Sequence, residues 1–298
     1  MHEQETLDDR TGHSARPYAG QCGVLATMHG KEAAIAPALR DGLGLVVDVA
    51  PGLDTDALGT FTGEIPRAGS MREAAIAKAR LGMAATRRPI GIASEGSYGP
   101  HPWIPFVAGG MELMVLVDDT RDIIITERVV EDGPVYAHAE VTSADELGAF
   151  LDRFHFPQHA LIVKPNACKG PAFPIYKGLR CRQGLAEAVT ESAACSADGR
   201  AFVQTDMRAH MNPTRMAAID RLARKLCTRA AACCPCCSMP GYGQVDIETG
   251  LPCEWCGSPS LLVRHEIFGC VACDHREHRP RSDGRSHADP RDCPRCNP

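Results

Sequence analysis

Cysteines in close pairs are the strongest chemical signal in this sequence. Four C-x-x-C pairs lie in the last quarter of the chain, at Cys234/Cys237, Cys253/Cys256, Cys270/Cys273 and Cys293/Cys296. Two residues between cysteines form a tight turn that aims both thiolates at one tetrahedral ion, and a second such turn completes the shell. The eight thiolates therefore predict two structural Zn²⁺ ions. Four complete pairs leave no open coordination position, so the pattern does not predict a catalytic zinc.

The spacing leaves open which pairs share an ion. The interval from Cys256 to Cys270 suits the hairpin of a zinc ribbon, and Gly257 relaxes the turn after its pair. We therefore expect the second and third pairs to hold one ion, and the first and fourth pairs to hold the other. Sequential pairing is the main alternative. Cys233 and Cys236 form an overlapping C-x-x-C pair, which leaves the register of the first pair open.

The charge of the cysteine-rich part indicates whether it could bind nucleic acid. Residues 231–298 contain seven Arg, no Lys and nine Asp plus Glu, a net charge of −2. That balance does not suit a surface that binds nucleic-acid phosphates. A local basic stretch could still contact RNA or an acidic partner, at Arg276, Arg279, Arg281 and Arg285. We favour a structural or protein-contact role for this part of the chain.

A second set of polar residues stands where predicted strands and helices meet. It consists of Lys31, Glu73, Lys78 and Glu95. Ligand groups of α/β domains collect at such junctions, where loop N–H groups favour anions. Two carboxylates can hold Mg²⁺ and orient water, and two lysines can neutralise a leaving pyrophosphate. Structural explanations also exist, because Glu73 suits a capping box and Lys78 an exposed helix face.

Three segments resemble the inosine/xanthosine triphosphate pyrophosphatase superfamily, which removes non-standard purine nucleotides. Ala26–Lys31 looks like its phosphate loop, and Glu73–Arg80 is similar to its metal-binding helix. Ile92–Gly96 resembles the strand of that family that ends in an acidic residue. The resemblance covers roughly residues 22–130.

This resemblance implies a Mg²⁺-dependent hydrolase that cleaves a nucleoside triphosphate between its α- and β-phosphates. It implies Glu73 and Glu95 as catalytic residues, with Glu73 as a metal ligand and Glu95 as a metal ligand or general base. It also implies that Lys31, Lys78 and Thr27 contact the phosphates.

The sequence departs from the pattern of this family in several places. His29-Gly30 stands where an asparagine is usual, and Ser94 replaces an acidic residue of one branch. The base-recognising Ser-His-Arg segment has only a loose counterpart, in His210, Asn212 and Arg215. These departures favour the alternative of a non-enzymatic nucleotide- or anion-binding protein. Its zinc ribbons would then contact a protein or nucleic-acid partner.

Over its whole length the chain resembles an uncharacterised bacterial family of no assigned function. The segments that carry this resemblance are Gly52–Asp56, Gly59–Glu64, Thr205–His210 and the cysteine pairs. It indicates a recurring architecture and implies no particular chemistry. The acidic residues of the first two segments are further candidate metal ligands, at Asp54, Asp56 and Glu64.

The composition is that of a globular protein with two domains. The chain has 298 residues and a net charge of −5, which gives no sign of a protein that coats DNA. No apolar run is long enough to span a bilayer. Residues 1–20 look like a disordered leader without an export signal, so we expect a cytoplasmic protein.

Patterns of apolar residues predict an α/β fold with a mixed sheet over residues 21–230, followed by a double zinc-ribbon module over 231–298. The predicted strands lie near 23–26, 42–49, 89–93, 111–117, 122–129 and 160–164. The predicted helices lie near 32–39, 71–86, 144–154, 179–192 and 213–229.

Overall fold

The computed structural model describes residues 16–53, 69–100, 108–133, 135–167 and 173–298. Most of the expected leader lies outside these residues, as do the candidate ligands Asp54, Asp56 and Glu64. Among the described helices, none combines the length and the apolar character that a membrane crossing requires.

A five-stranded mixed sheet, the first sheet, forms the centre of the α/β part. Its strands are β1 (Cys22–Ala26), β2 (Val46–Val49), β3 (Ile90–Pro100), β4 (Ala108–Asp118) and β5 (Ile123–Asp132), in the order β2-β1-β3-β4-β5. The first three strands are parallel, and β4 is antiparallel to both of its neighbours. The mixed α/β class predicted from the sequence is therefore confirmed.

The described residues form five α-helices: α1 (Glu32–Leu43), α2 (Met71–Thr86), α3 (Gly148–Arg153), α4 (Arg182–Cys195) and α5 (Pro213–Ala231). Helices α1 and α5 pack on one face of the first sheet, in a core that includes Leu25 and Ile92. Helix α2 packs on the other face, against Val24 and Ala93. Successive strand residues thus point into opposite cores, as the alternation of side chains in a strand requires.

A four-stranded antiparallel sheet, the second sheet, follows the first along the chain. It contains β6 (His138–Val141), β7 (Leu161–Pro165), β8 (Tyr176–Leu179) and β9 (Ala201–Thr205), in the order β6-β9-β7-β8. Helix α4 covers it, and a 3₁₀ turn at Ala144–Leu147 leads into α3.

The cysteine module, residues 232–298, is built on a three-stranded antiparallel sheet. Its strands are β10 (Gly243–Thr249), β11 (Val263–Gly269) and β12 (Arg276–Pro280), in that order. A 3₁₀ turn at Pro290–Asp292 precedes the last cysteine pair. The cysteine pairs lie beyond the ends of these strands.

Candidate functional site

The loop between β1 and α1 places Lys31 beside β3. Lys31 is the last residue before α1, and its Nζ donates to the backbone oxygen and the Oγ of Ser94, each at 3.1 Å. No side chain caps the start of the 12-residue helix α1. Its first N–H groups therefore lack a side-chain acceptor and present the positive end of the helix dipole.

Lys78 and Glu95 form a buried ion pair next to Lys31. Lys78 lies on the buried side of α2, and Glu95 follows Ser94 on β3. The Lys78 Nζ contacts the Glu95 Oε1, and the two residues are only 8% and 6% exposed. Three of the four residues predicted as one site, Lys31, Lys78 and Glu95, are therefore close together in space.

A second buried ion pair, between Glu112 and Arg215, lies on the other face of the first sheet, under α5. The Glu112 Oε1 accepts from the Arg215 Nε at 2.6 Å and from the Tyr98 Oη at 2.7 Å. Glu112 and Arg215 are 0% and 3% exposed. Gly96 on β3 is paired with Glu112 on the neighbouring strand β4. A Cβ at this position would lie 2.5 Å from the Arg215 Nη2, so only glycine leaves room for the pair.

Electrostatic interactions tie the two ion pairs to Lys31. Burial is the largest cause that lowers the pKa of Lys31, to about 8. The positive charges of Arg215 and Lys78 lower it further, whereas Glu112 and Glu95 raise it. Within the described residues, three cationic side chains and two carboxylates thus interact through two ion pairs on opposite faces of the first sheet, and we refer to these five residues as the charged cluster.

Glu73 lies outside the charged cluster. Its exposed carboxylate accepts hydrogen bonds from the Ser70 N and Oγ, both at 2.8 Å, in the capping box that starts α2. These contacts are those of a capping box, as the sequence around Glu73 suggests. Thr27 lies in the β1–α1 loop, and its buried Oγ1 has no hydrogen-bond partner among the described residues.

A recess of about 90 Å³ opens between the first and second sheets. Tyr98, which binds Glu112, forms part of its wall, and the other lining residues are Tyr136, Ile162, Gln204, Thr205, Asp206, Met207 and Arg208. The Arg208 Nε donates to the Asp206 Oδ1 at 3.0 Å, so this lining carries a fixed ion pair. The recess and the charged cluster therefore share Tyr98 as a common boundary.

The segment before α5 contacts the β1–α1 loop. The rings of His29 and His210 stack with centroids 5.4 Å apart. Arg215 belongs to the charged cluster, although the sequence indicated it only as a loose counterpart of a base-recognising arginine. Sequence reasoning missed Glu112 and Tyr98. Glu112 had a usable signal, because it is a single acid inside an apolar strand, whereas Tyr98 had none.

The eight predicted cysteine ligands form two groups of four. Site I contains Cys234, Cys237, Cys270 and Cys273, and site II contains Cys253, Cys256, Cys293 and Cys296. Sulfurs of different pairs lie 3.6 to 3.9 Å apart within each site. Four Zn–S bonds of about 2.3 Å separate sulfurs by about 3.8 Å, whereas a disulfide bond is about 2.05 Å long. Both sites could therefore hold zinc.

The expected pairing of the cysteine pairs is wrong. The first and third pairs share site I, and the second and fourth share site II, so the pairs interleave. Sheet register explains this order. Gly243 pairs with Gly269, which brings the first and third pairs to one end of the sheet. A bridge between Cys253 and Ala288 brings the second and fourth pairs together at the other end.

Local geometry supports the ligand assignment. Cys233 and Cys236 are exposed and belong to neither site, which settles the register of the first pair. Gly257 has a φ of +68°, as expected for a relaxed turn after its pair. Hydrogen bonds from Ser258 lower the pKa of Cys256 to about 6, which favours the metal-binding thiolate.

Most of the basic stretch is paired with acidic side chains. Three of its four arginines contact a carboxylate, in the pairs Arg279–Glu277, Arg281–Asp283 and Arg285–Asp292. Arg279 also lies over the ring of Phe268, 4.2 Å from its centroid. These contacts leave little free positive charge for nucleic-acid phosphates.

Comparison with known proteins gives a family and no activity. The family model of a domain of unknown function, DUF6671, matches residues 78–298. The match contains Lys78, Glu95 and the second ion pair of the charged cluster, together with both cysteine sites, whereas Lys31 lies before it. No curated protein matches the sequence.

Proposed function

We propose that this chain, which belongs to the DUF6671 family of domains of unknown function, is a Mg²⁺-dependent hydrolase. Its substrate would be a nucleoside triphosphate, cleaved between the α- and β-phosphates. The observation that carries the proposal is the convergence of Lys31, Lys78 and Glu95 from three distant segments on one cluster.

The phosphate groups would bind where the β1–α1 loop meets α2. Lys31 and Lys78 supply point charges that suit phosphate oxygens. The N-terminus of α1, which has no side-chain cap among the described residues, supplies the positive end of the helix dipole. The buried Thr27 Oγ1, which lacks a partner among the described residues, offers a further donor.

A Mg²⁺ ion would have to enter with the triphosphate, because both carboxylates of the cluster are paired with cations. Mg²⁺ is commonly held by one or two carboxylates together with substrate phosphates, and its coordination would polarise the phosphate that is attacked. Glu95 would be that carboxylate. In the structure it is paired with Lys78, so substrate binding would move the Lys78 ammonium from Glu95 to a phosphate oxygen. Glu112 accepts hydrogen bonds from Arg215 and Tyr98 and would hold these two side chains in place.

The recess beside Tyr98 would contact one side of the nucleoside, because its volume of about 90 Å³ is too small to enclose a nucleoside. Its wall contains two tyrosines, Tyr98 and Tyr136, and rings of this kind stack on bases. The fixed Asp206–Arg208 pair adds hydrogen-bonding groups at the same wall. This arrangement would order phosphates and base along the boundary between the first and second sheets.

The test is pyrophosphate release from a panel of purine and pyrimidine nucleoside triphosphates with Mg²⁺. We expect turnover of at least one nucleotide, and Glu95→Gln should lower its kcat by about 10²-fold or more. Glu140→Gln is the matched control, because Glu140 lies on β6, outside the cluster, and pairs with Arg200. Absence of turnover over the whole panel, or a normal rate in Glu95→Gln, would refute this mechanism.

A second candidate function is nucleotide or anion binding without hydrolysis. It is favoured by the ion pairs of the cluster, which engage both of its carboxylates with cations. Two apolar side chains of the cysteine module, Trp255 and Leu261, are 79% and 82% exposed and suit contact with a protein partner. A rise in Tm with nucleotide but no release of pyrophosphate would favour this candidate.

A further inference from the structure

Two histidines and a glutamate meet on one face of the cysteine-module sheet. The Glu248 Oε2 lies 2.9 Å from the His265 Nδ1 and 3.3 Å from the His278 Nδ1. The three residues come from three different strands, β10, β11 and β12. One potential ligand atom from each lies within 4.8 Å of the other two.

Sheet register produces this meeting. Glu248 is opposite His265, and His278 is opposite Ile267, which points to the same face as His265 because it lies two residues further on β11. The ladder is irregular between Glu248 and Thr249. Such bulges re-aim side chains and are common next to functional sites.

We propose that Glu248, His265 and His278 form a third metal site, which binds a divalent transition-metal ion such as Zn²⁺ or Co²⁺. Imidazole nitrogen and carboxylate oxygen are the ligand types that such ions accept. Bonds of about 2.1 Å to a tetrahedral ion would separate ligand atoms by about 3.4 Å. The two measured distances to Glu248, 2.9 and 3.3 Å, lie close to that separation.

The chemistry of this site differs from that of sites I and II. Three protein ligands leave at least one coordination position open, whereas four thiolates leave none. The side chains of Glu248, His265 and His278 are 43%, 32% and 58% exposed, so solvent and solutes reach them. The bound ion would carry water in the open position and exchange more readily than the ions of the thiolate sites. This inference is independent of the proposed hydrolase activity.

The test is the metal content of the full-length chain. Protein that already holds Zn²⁺ in sites I and II is dialysed to equilibrium against Co²⁺, and both metals are measured per chain. We expect one Co²⁺ in addition to the two Zn²⁺, and no added Co²⁺ in His265→Ala/His278→Ala. His278→Ala and Glu248→Gln, each tested alone, should raise the Kd for Co²⁺ about 10-fold or more. Loss of an outer-shell partner already has an effect of that size, and these residues would bind the metal directly.

His287→Ala is the matched control, since His287 is bonded to Ser286 and lies outside the cluster. It should keep the added Co²⁺. The two Zn²⁺ ions should stay in every variant, which shows that the module is folded. Retention of the added Co²⁺ in His265→Ala/His278→Ala would overturn the proposal, as would a wild-type chain that binds none.

Discussion

At the scale of single residues, the charge of Lys31 depends on its surroundings. Burial and two cationic neighbours lower its pKa to about 8, below the value of about 10.4 for an unperturbed lysine. The folded protein therefore disfavours the ammonium form. This cost to the stability of the folded protein is present below about pH 8. It disappears as the pH rises towards the pKa of a lysine in the unfolded chain, about 10.4. A bound anion would reverse the effect by favouring the charged form.

The affinity for inorganic pyrophosphate should therefore fall as the pH rises above about 8. The ammonium of Lys31 loses its charge there, and linkage limits the fall to about tenfold per pH unit. Calorimetric titrations with pyrophosphate on both sides of that pH measure the effect. Lys31→Arg should remove it, because arginine stays charged. Lys225→Arg is the control, since Lys225 pairs with Glu127 away from the cluster, and it should keep the wild-type pH dependence. An unchanged affinity in the wild type would contradict the role of Lys31.

Residue types predicted three members of the charged cluster, indicated Arg215 only as a loose counterpart of a base-recognising arginine, and missed Glu112. Lys31 directly precedes α1, whereas Lys78 lies within α2 and Glu95 lies within β3, which extends to Pro100, beyond the strand predicted near 89–93. Glu112 and Arg215 are 103 positions apart along the chain. Their contact depends on the register between β3 and β4 and on how α5 packs over the sheet. No local pattern contains that information, so the charge balance of the cluster could not be predicted from the sequence.

At the scale of elements, the start of α2 explains the position of Glu73. Ser70 and Glu73 cap each other reciprocally, with the Ser70 Oγ accepting from the Glu73 N at 3.2 Å. Their hydrogen bonds lower the pKa of Glu73, which keeps its carboxylate in the accepting form. Glu73 is also not among the main charges that act on Lys31, which are those of Arg215, Glu112, Glu95 and Lys78.

Glu73→Ala should lower Tm and leave nucleotide affinity unchanged. Ser70→Ala should have a similar effect on Tm, because each substitution breaks the same capping box. The double variant should be less destabilised than the sum of the two, as expected for partners in one interaction. Thermal unfolding and nucleotide titration measure the two properties. A large loss of affinity or turnover in Glu73→Ala would instead support the metal-ligand role implied by the family resemblance.

The clearest elements in the sequence were those with helical periodicity and caps. The bounds of α2 are as expected, and α5 begins at Pro213 as expected and ends at Ala231. The apolar run 42–49 was interpreted as one strand, but α1 continues to Leu43 and β2 begins at Val46. Strands β6, β8 and β9 were not predicted. They are four or five residues long, too short for a periodic signal to distinguish them from loops.

At the scale of the whole molecule, the cysteine module contacts the α/β part through the end that carries site I. The Arg229 side chain at the end of α5 donates to the Gly241 oxygen at 3.2 Å and to the Thr126 oxygen at 3.0 Å. Met239 and Val271 of the module pack against the core under α1 and α5. No site II cysteine appears in that core or in those hydrogen bonds, within the described part of the chain.

The interleaved pairing also could not be predicted from the sequence, because cysteine spacing is compatible with every arrangement. The deciding quantity is the strand register, which places the third pair beside the first. With this register, one thiolate site lies at each end of the three-stranded sheet. Site I therefore borders the α/β part, and site II lies at the opposite end of the sheet.

Loss of site I should therefore destabilise both the module and the end of α5, whereas loss of site II should affect the module alone. Cys234→Ser/Cys270→Ser and Cys256→Ser/Cys296→Ser should each lose one of two Zn²⁺ ions, since both substitutions of each variant lie in one site. Amide hydrogen exchange in α5 should accelerate only in the first variant. In a domain the size of the cysteine module, a destabilisation of about 1 kcal/mol would lower Tm by about 4–8 °C. If instead the second and third pairs shared one ion and the first and fourth pairs shared the other, Cys234→Ser/Cys270→Ser would remove a ligand from each ion. A chain of this variant that retains no Zn²⁺ would therefore contradict the interleaved arrangement.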